Sequence, residues 1–125
     1  MINKNNRQIL CVKVDKGRKH DFRMFKESKV HIHPKTSLQV DTGYQGITKH
    51  HANSEIPYKL SKKKPLTEAQ LKHNHRVSSS RMTVEHVIRE LKVFRILSER
   101  YRNRRKRFGL RVNLIAAIFN YELIF

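Results

Sequence analysis

The chain has 125 residues, with 28 Lys and Arg against 10 Asp and Glu and a formal charge of +18 at pH 7. That length suits one domain, and a chain so charged repels itself unless a polyanion, nucleic acid first among them, compensates. One cysteine excludes an internal disulfide, the opening residues carry no signal-peptide core, and the longest apolar run, residues 114–119, is far short of the roughly 20 a membrane helix needs.

In chain order, residues 8–14 (Gln-Ile-Leu-Cys-Val-Lys-Val) predict a half-buried or central strand, with Cys11 inside it as a small buried hydrophobe. Residues 16–19 turn the chain. His20 and Asp21 open a short helix to about Ser28, Asp21 being a natural N-cap and Phe22 and Phe25 standing at i,i+3. Residues 37–40 predict a second strand. It runs into Asp41-Thr42-Gly43-Tyr44-Gln45-Gly46, whose two glycines allow close approach to a ligand or metal. Residues 48–80 read as mostly irregular, with a solvated basic stretch at 59–64 between Pro57 and Pro65. Within them, Thr67-Glu68-Ala69-Gln70 is a capping box that starts a helix to about Asn74. The longest helical pattern covers 81–97, after Ser78-Ser79-Ser80. Beyond the basic run 100–107, Gly109 breaks the chain, and a nearly all-apolar helix over 110–123 reads as core. No repeat or linker divides residues 1–125.

On the long helix, Val84, Val87, Ile88 and Leu91 share an apolar face, and Arg81, Glu85 and Lys92 form a stripe beside it. Glu85 stands about 40° and Lys92 about 20° from Arg81. A carboxylate between two cations stays ionised, as a ligand for a hard divalent cation must. Periodicity alone favours the plainer reading, an i,i+4 ion pair from Arg81 to Glu85. Asp41 closes a predicted strand, where open α/β sheets place functional side chains, though a turn-forming Asp beside Gly43 explains it equally well. Phosphodiester cleavage commonly uses two divalent ions about 3.5–4 Å apart, held by carboxylates that normally number three. Spacing does not show whether Asp41 and Glu85 meet.

The run Arg100, Tyr101, Arg102, Arg104, Arg105, Lys106 and Arg107 reads as a phosphate-binding patch with Tyr101 placed to stack on an unpaired base, against the alternative of a solvated loop. His31-x-His33, His50-His51 and His73-x-His75 lack the spacing of zinc ligands and read as surface or DNA-facing histidines.

Taken together, Asp41-Thr42-Gly43-Tyr44-Gln45-Gly46, Lys62-Lys63-Lys64-Pro65-Leu66, Asn74, Ser80-Arg81-Met82-Thr83-Val84-Glu85, residues 91–97, Tyr101-Arg102-Asn103-Arg104-Arg105 and residues 113–120 resemble the C-terminal half of bacterial insertion-sequence transposases of the DDE class. His20-Asp21-Phe22 also fits. The resemblance implies an α/β, RNase H-like fold whose three acidic residues hold two Mg²⁺ (or Mn²⁺) ions for DNA cleavage and strand transfer. Asp41 matches the second acid and Glu85 the third. Arg81 and Lys92 match the basic residues that flank the catalytic Glu and position DNA. The basic side chains Lys62, Lys63 and Lys64, with Arg100, Arg102, Arg104, Arg105, Lys106 and Arg107, then belong to a DNA-binding set. Ser78 stands where some branches carry Tyr.

The first catalytic Asp of that family lies on the opening strand of the sheet, upstream of the His-Asp-Phe segment. Asp15 and Asp21 fall at a turn and a helix cap instead. The expectation is therefore a partial RNase H-like sheet, inactive alone. It would be completed by an N-terminal transposase segment, with transposon-end and target DNA as partners, a second copy of the chain as a further one, and a cytoplasmic, nucleoid-associated location. The rival expectations are a non-catalytic basic DNA-binding remnant and an RNA-binding, ribosome-associated protein.

Overall fold

The computed structural model describes every residue except Lys16, Asn103 and Arg104. The chain is mixed α/β: helix α1 (Asp21–Ser28), strand β1 (Leu38–Gln39), strand β2 (Ser54–Glu55), helix α2 (Glu68–Leu91), helix α3 (Arg95–Ser98) and helix α4 (Phe108–Glu122), with single 3-10 turns at Ile47–Lys49 and Arg105–Arg107. It divides into two compact units. One contains Met1–Val14 and Ser80–Phe125, the other Asp15–Ser79.

In the Asp15–Ser79 unit, β1 and β2 pair in parallel, with Leu38 opposite Ser54 and Gln39 opposite Glu55. The ladder extends by one bond at each end, Leu38 N–H donating to Asn53 O (2.9 Å) and Val40 N–H to Glu55 O (3.1 Å). Gln39 Nε2 adds a cross-strand bond to the Glu55 carboxylate at 2.9 Å. The second strand lies where the sequence reads as irregular, because two residues, Ser-Glu, carry no alternation to detect. Phe22 and Phe25 of α1 pack on the Tyr44 ring (centroids 5.5 and 6.2 Å), and Phe22 also meets the edge of His50. Helix α1 is capped by His20, not Asp21: Phe22 N–H donates to His20 Nδ1 at 3.3 Å. Lys19 ties the helix down through Asp15 (2.7 Å) and Glu27.

Helix α2 starts as the capping box requires, with Thr67 N–H donating to Gln70 Oε1 (3.0 Å) and Gln70 N–H to Thr67 Oγ1 (3.3 Å). It then runs through Ser78-Ser79-Ser80 without a break, joining what read as two helices. Serine costs a helix only a few tenths of a kcal/mol, whereas burial of Val77 and Val87, both at 0% exposure, contributes roughly 1.5–3 kcal/mol per side chain. The helix ends at Leu91 instead of continuing to 97. Val84 and Ile88, expected in the core, remain 37% and 43% exposed.

The other unit has a small core of Ile9, Val87, Ala116 and Phe119, flanked by Ile2, Val12 and Leu91. Residues 8–14 are not a strand. Only Ile9 forms a bridge, antiparallel to Ile2, while Leu10 is 58% exposed and Cys11 is free and half-buried. Ile9 instead spends its backbone groups on a side chain: its N–H donates to Asn120 Oδ1 and its carbonyl accepts from Asn120 Nδ2, both at 2.8 Å. Asn74 of α2 repeats the device within the Asp15–Ser79 unit, accepting from Tyr58 N–H at 2.7 Å and donating to Tyr58 O at 2.9 Å. In each case a helical carboxamide supplies the donor and acceptor that a neighbouring strand would have supplied.

Helix α4 begins before Gly109, which sits in its first turn and does not break it. Val112, Ile115, Ala116 and Phe119 are buried, but Leu110, Leu114, Ile118 and Tyr121 form a bare apolar stripe, 46–64% exposed. The expectation of an all-round buried helix fails on that face. Among the described residues no helix is long and apolar enough to cross a membrane.

Candidate functional site

Asp41 stands at the exit of β1, two residues past its last paired position. The chain turns there because Tyr44 N–H donates to Asp41 O (3.0 Å) and Ile47 N–H to Tyr44 O (3.0 Å). Gly46 closes the turn at φ +88°, a left-handed conformation that glycine adopts without strain. The Asp41 carboxylate is exposed, and its Oδ1 accepts from Thr42 N–H (2.7 Å) and from the Thr42 hydroxyl (3.3 Å).

His20 lies across the loop: a methyl added at Gly43 would stand 3.6 Å from its Cε1. Behind the loop, Tyr44 is half-buried. Burial first, then the carboxylates of Asp21 and Asp41, push its phenol above the ordinary tyrosine value. The loop carrying Asp41 is thus fixed by α1 and by its own hydrogen bonds, and Asp41 is an exposed residue of it with interactions of its own.

In the other unit, Glu85 lies on α2, also exposed. Arg81 is exposed on the same helix and has its own interactions. Lys92 lies one residue past the helix, yet its N–H still donates to Ile88 O (3.1 Å) and Arg89 O (3.2 Å), keeping it in the last turn. Its charge there faces the negative end of the helix dipole.

Asp41 belongs to the Asp15–Ser79 unit and Glu85 to the unit that carries α4. Among the described residues no group of three or more His, Cys, Asp or Glu is arranged to hold a metal ion.

Of the basic set, Lys62, Lys63 and Lys64 are exposed on a tight loop, closed by Lys64 N–H donating to Ser61 O at 3.3 Å. Arg100 and Arg102 are exposed and outside regular structure, and Arg105, Lys106 and Arg107 form an exposed 3-10 turn. Arg104 lies outside the described residues.

Two histidines read as surface groups are structural. His51 is 7% exposed, with its ring nitrogen 2.6 Å from Thr36 O. His73 is half-buried, 3.2 Å from Ile56 O, with Tyr58 against its ring. Arg111, a cation just after the basic run in the sequence, donates to the Tyr101 hydroxyl; that i,i+10 pairing crosses from loop to helix and leaves no periodic signal.

Comparison with known proteins adds three findings. Residues 1–120 match the model of a family described as DDE superfamily endonuclease. The chain is 51% identical over 123 residues to a Microchaete diplosiphon protein named "Probable transposase for insertion sequence element IS702", a match covering 98% of this chain and 45% of that protein, so the chain spans less than half the length of this curated relative. No solved structure matches it.

Proposed function

Because the chain belongs to the DDE superfamily of endonucleases, we propose that it contributes Asp41 and Glu85, as two of three acids, to an RNase H-like centre for DNA cleavage and strand transfer in transposition. A complementing transposase segment supplies the rest. The observation that carries this reading is the position of Asp41: an acidic residue just past the end of a strand, on a loop locked from behind by Tyr44 and α1.

Carboxylate oxygens are the right donors for Mg²⁺ or Mn²⁺, but two carboxylates in separate units fall short of a ligand set, so the fit is partial. A pair of such ions, when bound, supplies charge stabilisation at the attacking and leaving oxygens of an in-line displacement. The roles derived for this chain's own residues stop before that step. Asp41 and Glu85 offer carboxylate oxygen; Arg81 and Lys92 neutralise nearby phosphates; Lys62, Lys63, Lys64, Arg100, Arg102, Arg105, Lys106 and Arg107 hold the DNA backbone without reading sequence.

The test is reconstitution. Mixed with a polypeptide corresponding to the remaining part of the relative, the chain is expected to nick transposon-end DNA only with Mg²⁺ or Mn²⁺ present. Asp41→Ala or Glu85→Ala should lower nicking at least about a hundredfold, the scale of losing an essential catalytic group. Undiminished nicking in either variant overturns the reading. The charge of +18 favours one rival, a non-catalytic DNA-binding role, which predicts salt-sensitive binding and no nicking in any mixture.

A further inference from the structure

A second concentration of chemistry lies wholly within the unit that carries α4. Arg95, Ile96, Glu99, Arg100, Tyr101 and Arg102 line an open cleft of about 660 Å³. Its walls are of two kinds. Ile96 is apolar, and Tyr101 contributes an aromatic side chain, the kind of surface that takes the face of a heterocycle. The three arginines are cationic, with one carboxylate among them, Glu99, at 4.0 Å from Arg95 Nε.

The Tyr101 ring is held in place from within. Phe108 packs on it at 4.6 Å between centroids, Arg111 lies over it with its guanidinium carbon 5.7 Å from the centroid, and Arg111 donates to its hydroxyl. A ring already fixed loses little freedom when a second ring stacks on it.

An apolar platform bordered by cations matches a nucleotide, with base on ring and phosphates on guanidinium groups. A base within a duplex presents its edges in the grooves and keeps its faces stacked on its neighbours. A base inside a duplex can therefore enter the cleft only once it is unpaired.

We propose that this cleft binds an unpaired nucleotide of single-stranded DNA, the base stacked on Tyr101 and the flanking phosphates held by Arg95, Arg100 and Arg102. The choice of DNA rests on the proposed transposase reading; the unpaired state rests on the cleft alone. On this reading the chain holds a frayed or cleaved DNA end, at a place separate from Asp41 and Glu85 in the sequence.

The chain has no tryptophan, so Tyr101→Trp places a single reporter in the cleft of the full chain. A short mixed-sequence oligodeoxynucleotide is expected to quench its emission when single-stranded and to quench it much less when annealed to its complement. Tyr101→Leu should weaken single-strand binding about tenfold, the scale of one lost base stack, and leave duplex binding unchanged. Arg95→Gln, at an exposed side chain, should weaken single-strand binding and flatten its salt dependence.

Equal quenching by single strand and duplex overturns the proposal, as does a tenfold preference for the matching ribo-oligonucleotide. So does a folded Tyr101→Leu chain, judged by circular dichroism, that binds single strands as before. If Tyr101→Leu does not fold, the quenching comparison decides. Asp41→Ala and Glu85→Ala should leave the quenching unchanged. Absent nicking with intact quenching removes the catalytic reading alone, and nicking without single-strand preference removes the cleft alone.

Discussion

Asn120 shows how much one side chain can organise. Its two hydrogen bonds to Ile9 are half-buried, so Asn120→Ala strands a backbone donor and an acceptor together. Urea unfolding followed by circular dichroism should show a loss of about 2–3 kcal/mol, given about 1–3 kcal/mol for an unsatisfied buried polar group. Asn74→Ala, whose bonds are exposed to water, should cost less, about 1 kcal/mol. Tyr44 tests the surroundings of Asp41. Burial and the carboxylates of Asp21 and Asp41 raise its phenol, so in an absorbance titration it should ionise after the exposed tyrosines. Asp41→Asn should bring that ionisation partway down, and Tyr44→Phe should remove it. The folded state disfavours the phenolate. Tyr44's contribution to stability is thus complete below the pKa of an unfolded tyrosine and declines as pH rises from there through the folded value.

Among the elements, α2 is the most telling. Its start is written plainly in the capping box, and Thr67→Ala should cost about 1 kcal/mol in thermal or urea unfolding, with Gln70→Ala removing the reciprocal bond. Its middle was misjudged from sequence because three serines resemble a loop, whereas buried Val77 and Val87 hold the helix through them. Helix α1 was legible from Phe22 and Phe25, although the cap fell to His20. The segment 8–14 shows the converse: β-rich residues do not form a strand without a neighbour, and Asn120 occupies Ile9's hydrogen-bonding groups instead. For the candidate site, Asp41's position after a strand and Glu85's on a helix were both readable from local pattern. Long-range facts such as Arg111 beneath Tyr101, or His51 buried against Thr36, leave no periodic trace and required the folded chain.

Across the whole molecule the balance is charge without much core. The core cluster of Ile9, Val87, Ala116 and Phe119 is small, and the Leu110, Leu114, Ile118 and Tyr121 stripe remains bare. Such stripes seek cover, so the isolated chain should enhance the fluorescence of a hydrophobic dye. Leu114→Glu should reduce that enhancement while leaving the helix content unchanged, since Leu114 is 56% exposed. A dye signal unaffected by Leu114→Glu would place the exposed surface elsewhere. The charge of +18 sets a second expectation: DNA affinity should fall as a steep power of salt concentration, with each neutralised backbone lysine or arginine lowering the slope by about one.

The bond between Ile9 and Asn120 spans 111 positions, and this has a consequence for biosynthesis. A growing chain contains Ile9 long before it contains Asn120, so the segment around Ile9 waits for its partner while 111 further residues are added. The unit built on α4 cannot close around Ile9 until Asn120 has been made, and any product that stops short of Asn120 is left with an unclosed segment around Ile9 open to proteases.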